Sequence, residues 1–129
     1  MSHRRIFKVL VCGGRGYKVW IDIFNTIKTL HEKYKVTHLL NGGATGCDSY
    51  ATDVAKELGI QPVVCDAIWN FYGKPAGPIR NKNMLDLNPD LVIAFPGGDG
   101  TEGMVKLAKE AGIEVIRFSD LPSSPAKVQ

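Results

Sequence analysis

The chain has 129 residues, of which 44% are apolar and 22% are charged. These values are typical of one folded domain, and they exclude intrinsic disorder, collagen-like repeats and coiled coils. The net charge of +3 admits an anionic ligand but falls short of the basic excess of a general nucleic-acid binder.

Strand and helix patterns alternate through the first half of the chain. The apolar run over residues 6–12 predicts a strand buried on both faces, and apolar residues at spacings of three and four predict a helix over residues 19–33. A β-branched run predicts a second strand over residues 36–40, followed by a glycine-rich turn and a helix over residues 47–58. The third predicted strand covers residues 61–65.

The second half continues this alternation after one irregular stretch. Residues 66–80 are rich in aromatic residues, glycine and proline, and long loops of this kind are often functional. A short helix is predicted over residues 81–87, a fourth apolar strand over residues 90–95 and another helix over residues 104–111. Residues 113–118 form the last predicted strand.

The alternation predicts an α/β fold, a three-layer Rossmann-like sandwich whose five-stranded parallel sheet has the order 3-2-1-4-5. We expect residues 1–119 to form a single domain and residues 120–129 to form a flexible tail. This order places the topological switch between strands one and four, where ligands bind beside the carboxyl ends of the strands.

Three glycine-rich loops follow strands one, two and four and end at this crevice. Such loops let backbone N–H groups approach an anion, and the helix dipole adds to the attraction. The alternative interpretation is three ordinary turns that need a positive φ. The patterns typical of kinases and dinucleotide-binding enzymes are absent, which disfavours ATP hydrolysis. The candidate ligand-binding residues in the loops are Gly13, Gly14, Arg15, Gly16, Tyr17, Asn41, Gly42, Gly43, Thr45, Gly46, Asp48, Pro96, Gly97, Gly98, Gly100 and Thr101.

Basic residues in and near the loops are candidate phosphate ligands. Arg15 and Arg80 carry planar guanidinium groups that pair with two phosphate oxygens at once, although each could instead be a solvated surface charge. The preceding Gly-Pro-Ile segment is expected to hold Arg80 in a restricted loop, with Asn81 beginning the next helix. Lys74 is a further candidate ligand-binding residue in the same stretch.

Acidic and aromatic residues complete the candidate site. Asp48 either stabilises the start of a helix or hydrogen-bonds ribose hydroxyls. Glu102 and Asp99 are candidate acid/base groups, or first-turn acids of the last helix. Trp69 or Tyr72 is expected to stack on a base, although aromatic residues are more often core.

The sequence predicts neither a metal site nor a cofactor, because His3, His31 and His38 lack metal-ligand spacing and no residue lies in a nucleophile elbow. The three cysteines lack Cys-x-x-Cys spacing, which indicates a reducing compartment. The N-terminal apolar stretch is interrupted by Lys8, so we expect no signal peptide, no membrane association and a cytoplasmic protein.

Four motifs occur in order: GGRGY at 13–17, NGGATGCD at 41–48, YGKPAGPIRN at 72–81 and FPGGDGT at 95–101. Together they resemble those of the SLOG superfamily, Rossmann-like domains related to the DNA-processing protein DprA/Smf and to the Lonely Guy cytokinin-activating enzymes. Within it the sequence is most similar to the YspA branch, and the resemblance covers nearly the whole chain up to Phe118.

The resemblance implies a nucleotide-derived ligand over the glycine loops and, for Lonely Guy enzymes, hydrolysis of the N-glycosidic bond of nucleoside monophosphates. The Lonely Guy motif PGGxGTxxE has its catalytic glutamate three residues after the threonine, where this chain has Met104. Glu102 follows Thr101 directly and lies on a different face of the helix. The pair Arg80 and Asn81 resembles a motif near the corresponding site of DprA, which binds single-stranded DNA.

Three hypotheses follow. The first is a binding or sensor domain for a nucleoside phosphate, an ADP-ribose-like molecule or a signalling nucleotide, and the Met104 departure favours it. The second is a phosphoribohydrolase-like enzyme, in which the two arginines and loop amides hold phosphate and Asp48 or Asn41 orients ribose. In that enzyme Glu102 or Asp99 would activate water.

The third hypothesis is a DprA-like DNA-binding module, which the small net charge disfavours. Because relatives associate, the resemblance also allows a homodimer or higher homo-oligomer through the outer helices. Apolar residues on those helices are explained equally well by packing on the sheet.

Overall fold

The computed structural model describes residues 5–65, 73 and 76–121. Within these residues the chain alternates five strands with four α-helices. The strands are β1 (Lys8–Cys12), β2 (His38–Asn41), β3 (Gln61–Val64), β4 (Leu91–Ala94) and β5 (Val115–Arg117). The helices are α1 (Trp20–Tyr34), α2 (Cys47–Leu58), α3 (Ala76–Leu85) and α4 (Asp99–Glu110), and a single 3-10 turn, Phe118–Asp120, follows β5.

All five strands run parallel in one sheet of order β3-β2-β1-β4-β5, which confirms the predicted α/β class and strand order. The central strand β1 pairs with β2 on one side and β4 on the other, so that Val9 lies opposite both Leu39 and Leu91. Every residue of β4 is buried. Strands covered on both faces need apolar residues throughout, which explains the continuous apolar runs.

Two cores lie on opposite faces of the sheet. Val9 and Val11 pack in the core that α1 and α2 cover, whereas Leu10 and Cys12 pack in the core that α3 and α4 cover. This alternation is the two-residue period of a strand. Because Cys12 is the last residue of β1, its side chain marks the point where the α3–α4 layer meets the carboxyl edge of the sheet.

The predicted start of the helix at residue 81 is wrong, because α3 begins at Ala76. Pro78 falls in the first turn, where its missing N–H would have had no intrahelical acceptor anyway. Arg80 therefore lies within the helix and not in a restricted loop, and Asn81 does not begin the helix.

Helix α4 begins at Asp99, so Asp99 and Glu102 lie in its first turn, as one of the two interpretations of these acids predicts. The apolar periodicity, which starts at Met104, does not by itself reveal this polar first turn. One other predicted boundary is wrong. Strand β5 begins at Val115 and not at residue 113, because the N–H of Ile113 donates to the carbonyl of Ala108 at 2.9 Å and completes the end of α4.

No helix in the described part of the chain is both long enough and apolar enough to cross a membrane. Residues 122–129 of the predicted tail lie outside the described residues.

Candidate functional site

A cavity of about 760 Å³ opens at the carboxyl ends of the strands, on the face that α3 and α4 cover. Its wall is formed by the end of β1, the loop after β2, the first turns of α2 and α4, and one side of α3. The predicted site residues that line it are Gly13, Arg15, Gly42, Asp48, Arg80, Asn81, Gly98, Asp99, Gly100 and Thr101. The structure thus brings together groups from all three glycine loops at the predicted switch point.

The loop after β2 directs its backbone donors inward. The N–H groups of Gly42 and Ala44 donate to Oδ2 of Asp48 at 3.2 and 3.3 Å, and the N–H of Gly43 donates to Oδ1 of Asn41 at 2.9 Å. All three donors are therefore satisfied by side-chain oxygens of the chain itself. This loop holds a carboxylate and leaves none of these three groups for an anionic ligand.

Asn41 stabilises this loop by linking it to helix α2. Its side chain is fully buried, its Oδ1 accepts from Gly43, and its Nδ2 donates to Oγ1 of Thr52 at 2.8 Å. Asn41 is not among the residues that line the cavity. The sequence contains a signal for this role, since asparagine commonly bonds the backbone N–H two residues further on.

Asp48 is only 6% exposed, and one of its two carboxylate oxygens accepts hydrogen bonds from the described residues. Oδ2 accepts the two loop N–H groups, whereas the buried Oδ1 has no hydrogen-bond partner among the described residues. Burial raises the pKa of Asp48 above its ordinary value, and the Ala44 N–H, the Arg80 charge and the Gly42 N–H oppose that shift. Asp48, a residue that lines the cavity, therefore carries a buried hydrogen-bond acceptor without a donor among the described residues.

Arg80 reaches the same loop from α3. Its Nη1 donates to the carbonyl of Gly42 at 2.7 Å, and its Nε donates to Oδ1 of Asn81 at 2.9 Å. A Cβ at position 42 would collide with the guanidinium, so the close approach requires glycine there. A guanidinium has five N–H donors, and the described residues accept from two of them.

The remaining glycine loops pack against each other. The N–H of Gly14 donates to the carbonyl of Pro96 at 2.8 Å, and the carbonyl of Gly14 accepts from Cys47 at 3.2 Å. Gly46 has a φ of +77° and lies against the backbone of Arg15. These contacts hold the loops in place. The predicted loop residues that do not line the cavity are Gly14, Gly16, Tyr17, Asn41, Gly43, Thr45, Gly46, Pro96 and Gly97.

Tyr17 belongs to the opposite face of the sheet. Its ring packs against Phe95 and Phe118 in the α1–α2 core, and its hydroxyl donates to Oδ2 of Asp22 at 2.9 Å. The structure therefore places this predicted ligand-binding residue outside the cavity.

The first turn of α4 presents free backbone donors to the cavity. No side chain of the described residues caps the helix at Gly98, and the N–H groups of Asp99, Gly100 and Thr101 have no intrahelical acceptors. All four residues line the cavity. This turn combines uncommitted N–H groups with the positive end of a helix dipole.

The two predicted acid/base residues lie in different surroundings. Asp99 lines the cavity, but Glu102 does not. Both oxygens of Glu102 accept from Arg117 of β5, at 2.9 and 2.7 Å, and this pairing lowers the pKa of Glu102 below its ordinary value. Glu102 thus links α4 to β5, while the catalytic assignments themselves stay predictions.

The floor of the cavity is apolar. Met84 of α3 and Met104 of α4 are almost completely buried there, and Leu107 extends the same surface along α4. Cys12 also contributes, and burial, with smaller effects from Asp48 and Glu102, raises the pKa of its thiol to about 12. A thiol with this pKa stays protonated and is a poor nucleophile.

The lining residues that were not predicted as ligand-binding from the sequence are Val11, Cys12, Ala44, Gly77, Pro78, Met84, Gly103, Met104, Lys106, Leu107 and Glu110. Those on α4 recur at helical spacing from Asp99, so a helix start at residue 99 would have revealed them. Three predicted ligand-binding residues, Trp69, Tyr72 and Lys74, lie outside the described residues. The described residues contain no cluster of side chains that could hold a metal ion.

Fold and site together define a Rossmann-like α/β domain with a cavity at the switch point of its sheet. The family model described as YAcAr, the YspA, cpYpsA-related SLOG family, matches residues 7–72. The Gene 61 protein of Mycobacterium phage D29 is 32% identical over 123 residues, which cover 89% of this chain and 98% of that protein. The chain belongs to the YspA, cpYpsA-related SLOG family, as the four motifs predict.

A solved structure shares this architecture. The X-ray structure of TM1055 superimposes with a TM-score of 0.67 over 84% of this chain and 72% of that one, at 22% sequence identity. At this identity the likeness concerns the fold alone, and it agrees with the five-stranded parallel sheet described above.

Proposed function

We propose that this protein binds a nucleotide-derived ligand in the cavity and acts as a sensor or processing domain. The phosphate would be bound between the first turn of α4 and the guanidinium of Arg80, which line the same cavity. The observation that carries the proposal is the N-terminal turn of α4, which no side chain of the described residues caps and whose residues line that cavity. Phosphate satisfies such donors and is stabilised by the helix dipole.

The shape of the cavity supports a ligand larger than phosphate. Its volume of about 760 Å³ lies in the range of small-molecule sites. The apolar surface formed by Met84, Met104 and Leu107 continues away from the polar turn of α4 and would accommodate a base. An anion at one end and an apolar body at the other are the features of a nucleotide.

The position of Met104 supports binding without turnover. It is 1% exposed in the cavity floor, where the resemblance to Lonely Guy enzymes would require a glutamate. A thioether neither donates nor accepts a proton. Hydrolysis of an N-glycosidic bond remains the second candidate, because the carboxylate of Asp99 belongs to a residue that lines the cavity.

Native mass spectrometry of the purified protein would separate these candidates. The protein would be incubated with nucleoside monophosphates, ADP-ribose, NAD and cyclic nucleotides, and the small molecules released from the same sample would be analysed. Retention of an intact ligand supports the proposal, whereas free base with ribose phosphate supports the hydrolase. Retention of single-stranded DNA in place of every nucleotide would favour the third hypothesis.

Substitution of Arg80 tests the phosphate site. We expect Arg80→Ala to weaken binding of the retained nucleotide about 10- to 100-fold, because a charge-assisted hydrogen bond to phosphate is lost. Titration calorimetry would measure the affinity. Lys82→Ala is the matched control, since Lys82 lies on the same helix, carries the same charge and is exposed. Unchanged affinity in a folded Arg80→Ala protein would contradict the proposed site.

A further inference from the structure

The Oδ1 atom of Asp48 is a buried acceptor on a residue that lines the cavity. Asp48 is only 6% exposed, and its Oδ1 has no hydrogen-bond partner among the described residues. A buried acceptor without a donor is costly, and native structures keep few of them. Its place in the wall of a cavity points to a donor that arrives with a ligand.

A role in stabilising helix α2 does not account for this oxygen. The hydrogen bonds of Asp48 go to Gly42 and Ala44, which precede the helix, and no side chain of the described residues caps its N-terminus at Gly46. Both bonds use Oδ2. They fix the orientation of the carboxylate and leave Oδ1 as the group that remains to be satisfied.

Pairing with Arg80 does not account for it either. Within the described residues the one salt bridge joins Arg117 to Glu102. Among the described residues, the Arg80 guanidinium donates to the carbonyl of Gly42 and to Oδ1 of Asn81. Arg80 influences Asp48 through its charge without donating to it.

The cavity is therefore electrostatically divided. The first turn of α4 and the guanidinium of Arg80 attract an anion, whereas the loop after β2 presents a carboxylate whose surrounding N–H groups are already used. An anionic group would be repelled from Asp48, and a neutral donor would be attracted. A hydroxyl group satisfies this requirement, since it donates to a carboxylate without carrying charge.

We propose that Oδ1 of Asp48 accepts a hydrogen bond from a sugar hydroxyl, so that the site selects ribonucleotides with a free hydroxyl and rejects counterparts that lack it or carry phosphate there. This inference rests on the proposed function, because it assumes that the phosphate of the same ligand lies at α4. It assigns anion binding to the glycine-rich segment at the start of α4 and hydroxyl binding to the carboxylate held by the glycine-rich loop after β2.

The test uses the four ribonucleoside 5′-monophosphates, their 2′-deoxy and 3′-deoxy counterparts and their 3′,5′-bisphosphates. Titration calorimetry with the unmodified protein should show that loss of the contacted hydroxyl weakens binding about tenfold or more, because a hydrogen bond to a charged acceptor is lost. We expect the 3′,5′-bisphosphates to bind more weakly than the 5′-monophosphates, since they bring a second anion toward Asp48.

Two variants assign the effect to Asp48. In Asp48→Asn the preference for the ribonucleotide should fall to within about threefold, because the charged acceptor is lost and a hydrogen bond between two neutral groups contributes less. Asp53→Asn removes the same charge from an exposed position on the same helix and should keep the full preference.

The outcomes are distinguishable. Equal binding of the ribo, 2′-deoxy and 3′-deoxy forms by the unmodified protein overturns this inference and leaves the proposed function intact. A full preference retained by a folded Asp48→Asn protein also overturns it. If the unmodified protein binds none of the monophosphates, the proposed function fails and the inference fails with it. The ligand series with the unmodified protein needs no variant to fold.

Discussion

At the scale of single residues, Asp48 is a buried acid that lines the proposed binding cavity. Its carboxylate is buried, and burial raises its pKa despite two backbone N–H bonds and the nearby charge of Arg80. The other titratable groups around it are the thiols of Cys12 and Cys47, whose pKa values burial raises well above neutral, so they stay uncharged. The ionised Asp48 therefore destabilises the ligand-free fold.

We expect Asp48→Asn to raise the free energy of unfolding of the ligand-free protein at neutral pH. A carboxyl group whose pKa is higher in the folded than in the unfolded state binds more protons when folded, so the stability of the unmodified protein falls as pH rises between the two values. The variant should therefore have no excess free energy of unfolding over the unmodified protein below about pH 4, near the ordinary pKa of an aspartate. This excess should grow as pH rises above that value.

Urea denaturation of both proteins at a series of pH values would measure this difference. Asp53→Asn serves as the control, because Asp53 is exposed on the same helix. A variant that is less stable than the unmodified protein, by a margin that widens with pH, would show that the ionised carboxylate stabilises the ligand-free fold.

At the scale of elements, one residue, Gly42, joins the two helical layers through its backbone. The N–H of Gly42 donates to Asp48 of α2, and its carbonyl accepts from Arg80 of α3. These helices cover opposite faces of the sheet, so the contact crosses its carboxyl edge. The absence of a side chain at position 42 makes room for the guanidinium.

A double-mutant cycle would measure this link. We expect Gly42→Ala to destabilise the protein by about 1–3 kcal/mol, the usual cost of forcing extra volume into a packed site. The same substitution should cost much less in an Arg80→Ala background, because the colliding group is then absent. Gly16→Ala is the control, since a Cβ there would meet nothing within 4 Å. Equal costs in both backgrounds, measured by denaturation, would contradict the steric link.

At the scale of the whole molecule, the alternating apolar runs predict the fold because they follow from burial on both faces of a parallel sheet. Right-handed crossovers permit several doubly wound strand orders, and the structure confirms the α/β class and the predicted order 3-2-1-4-5. The location of the cavity also follows, since the order determines where the loops diverge. The start of α3 could not be predicted in the same way, because Gly77 and Pro78 are as typical of a loop as of a first helical turn.

The division of tasks among the glycine loops lies beyond sequence patterns of this kind. Glycine permits close backbone approach without specifying whether a ligand or the chain itself approaches. At Gly42 and Gly43 the partners are Asp48 and Asn41, whose side chains compete with any ligand for the loop N–H groups. Only the folded arrangement shows that no side chain of the described residues caps the first turn of α4.

This division predicts a local response when ligand binds. Amides that exchange with solvent only through global unfolding, in the core beneath α1 as in the core beneath α4, should slow by one common factor set by ligand concentration and affinity. The amides of Asp99, Gly100 and Thr101 lack intrahelical acceptors and exchange locally, so a bound phosphate should slow their exchange by an additional factor.

Hydrogen exchange measured by NMR, with a saturating ribonucleoside 5′-monophosphate, would compare the core amides with these three amides. In Arg80→Ala at the same ligand concentration, both sets of amides should slow less. Slowing of the global amides with no added protection at the first turn of α4 would place the anion elsewhere in the molecule.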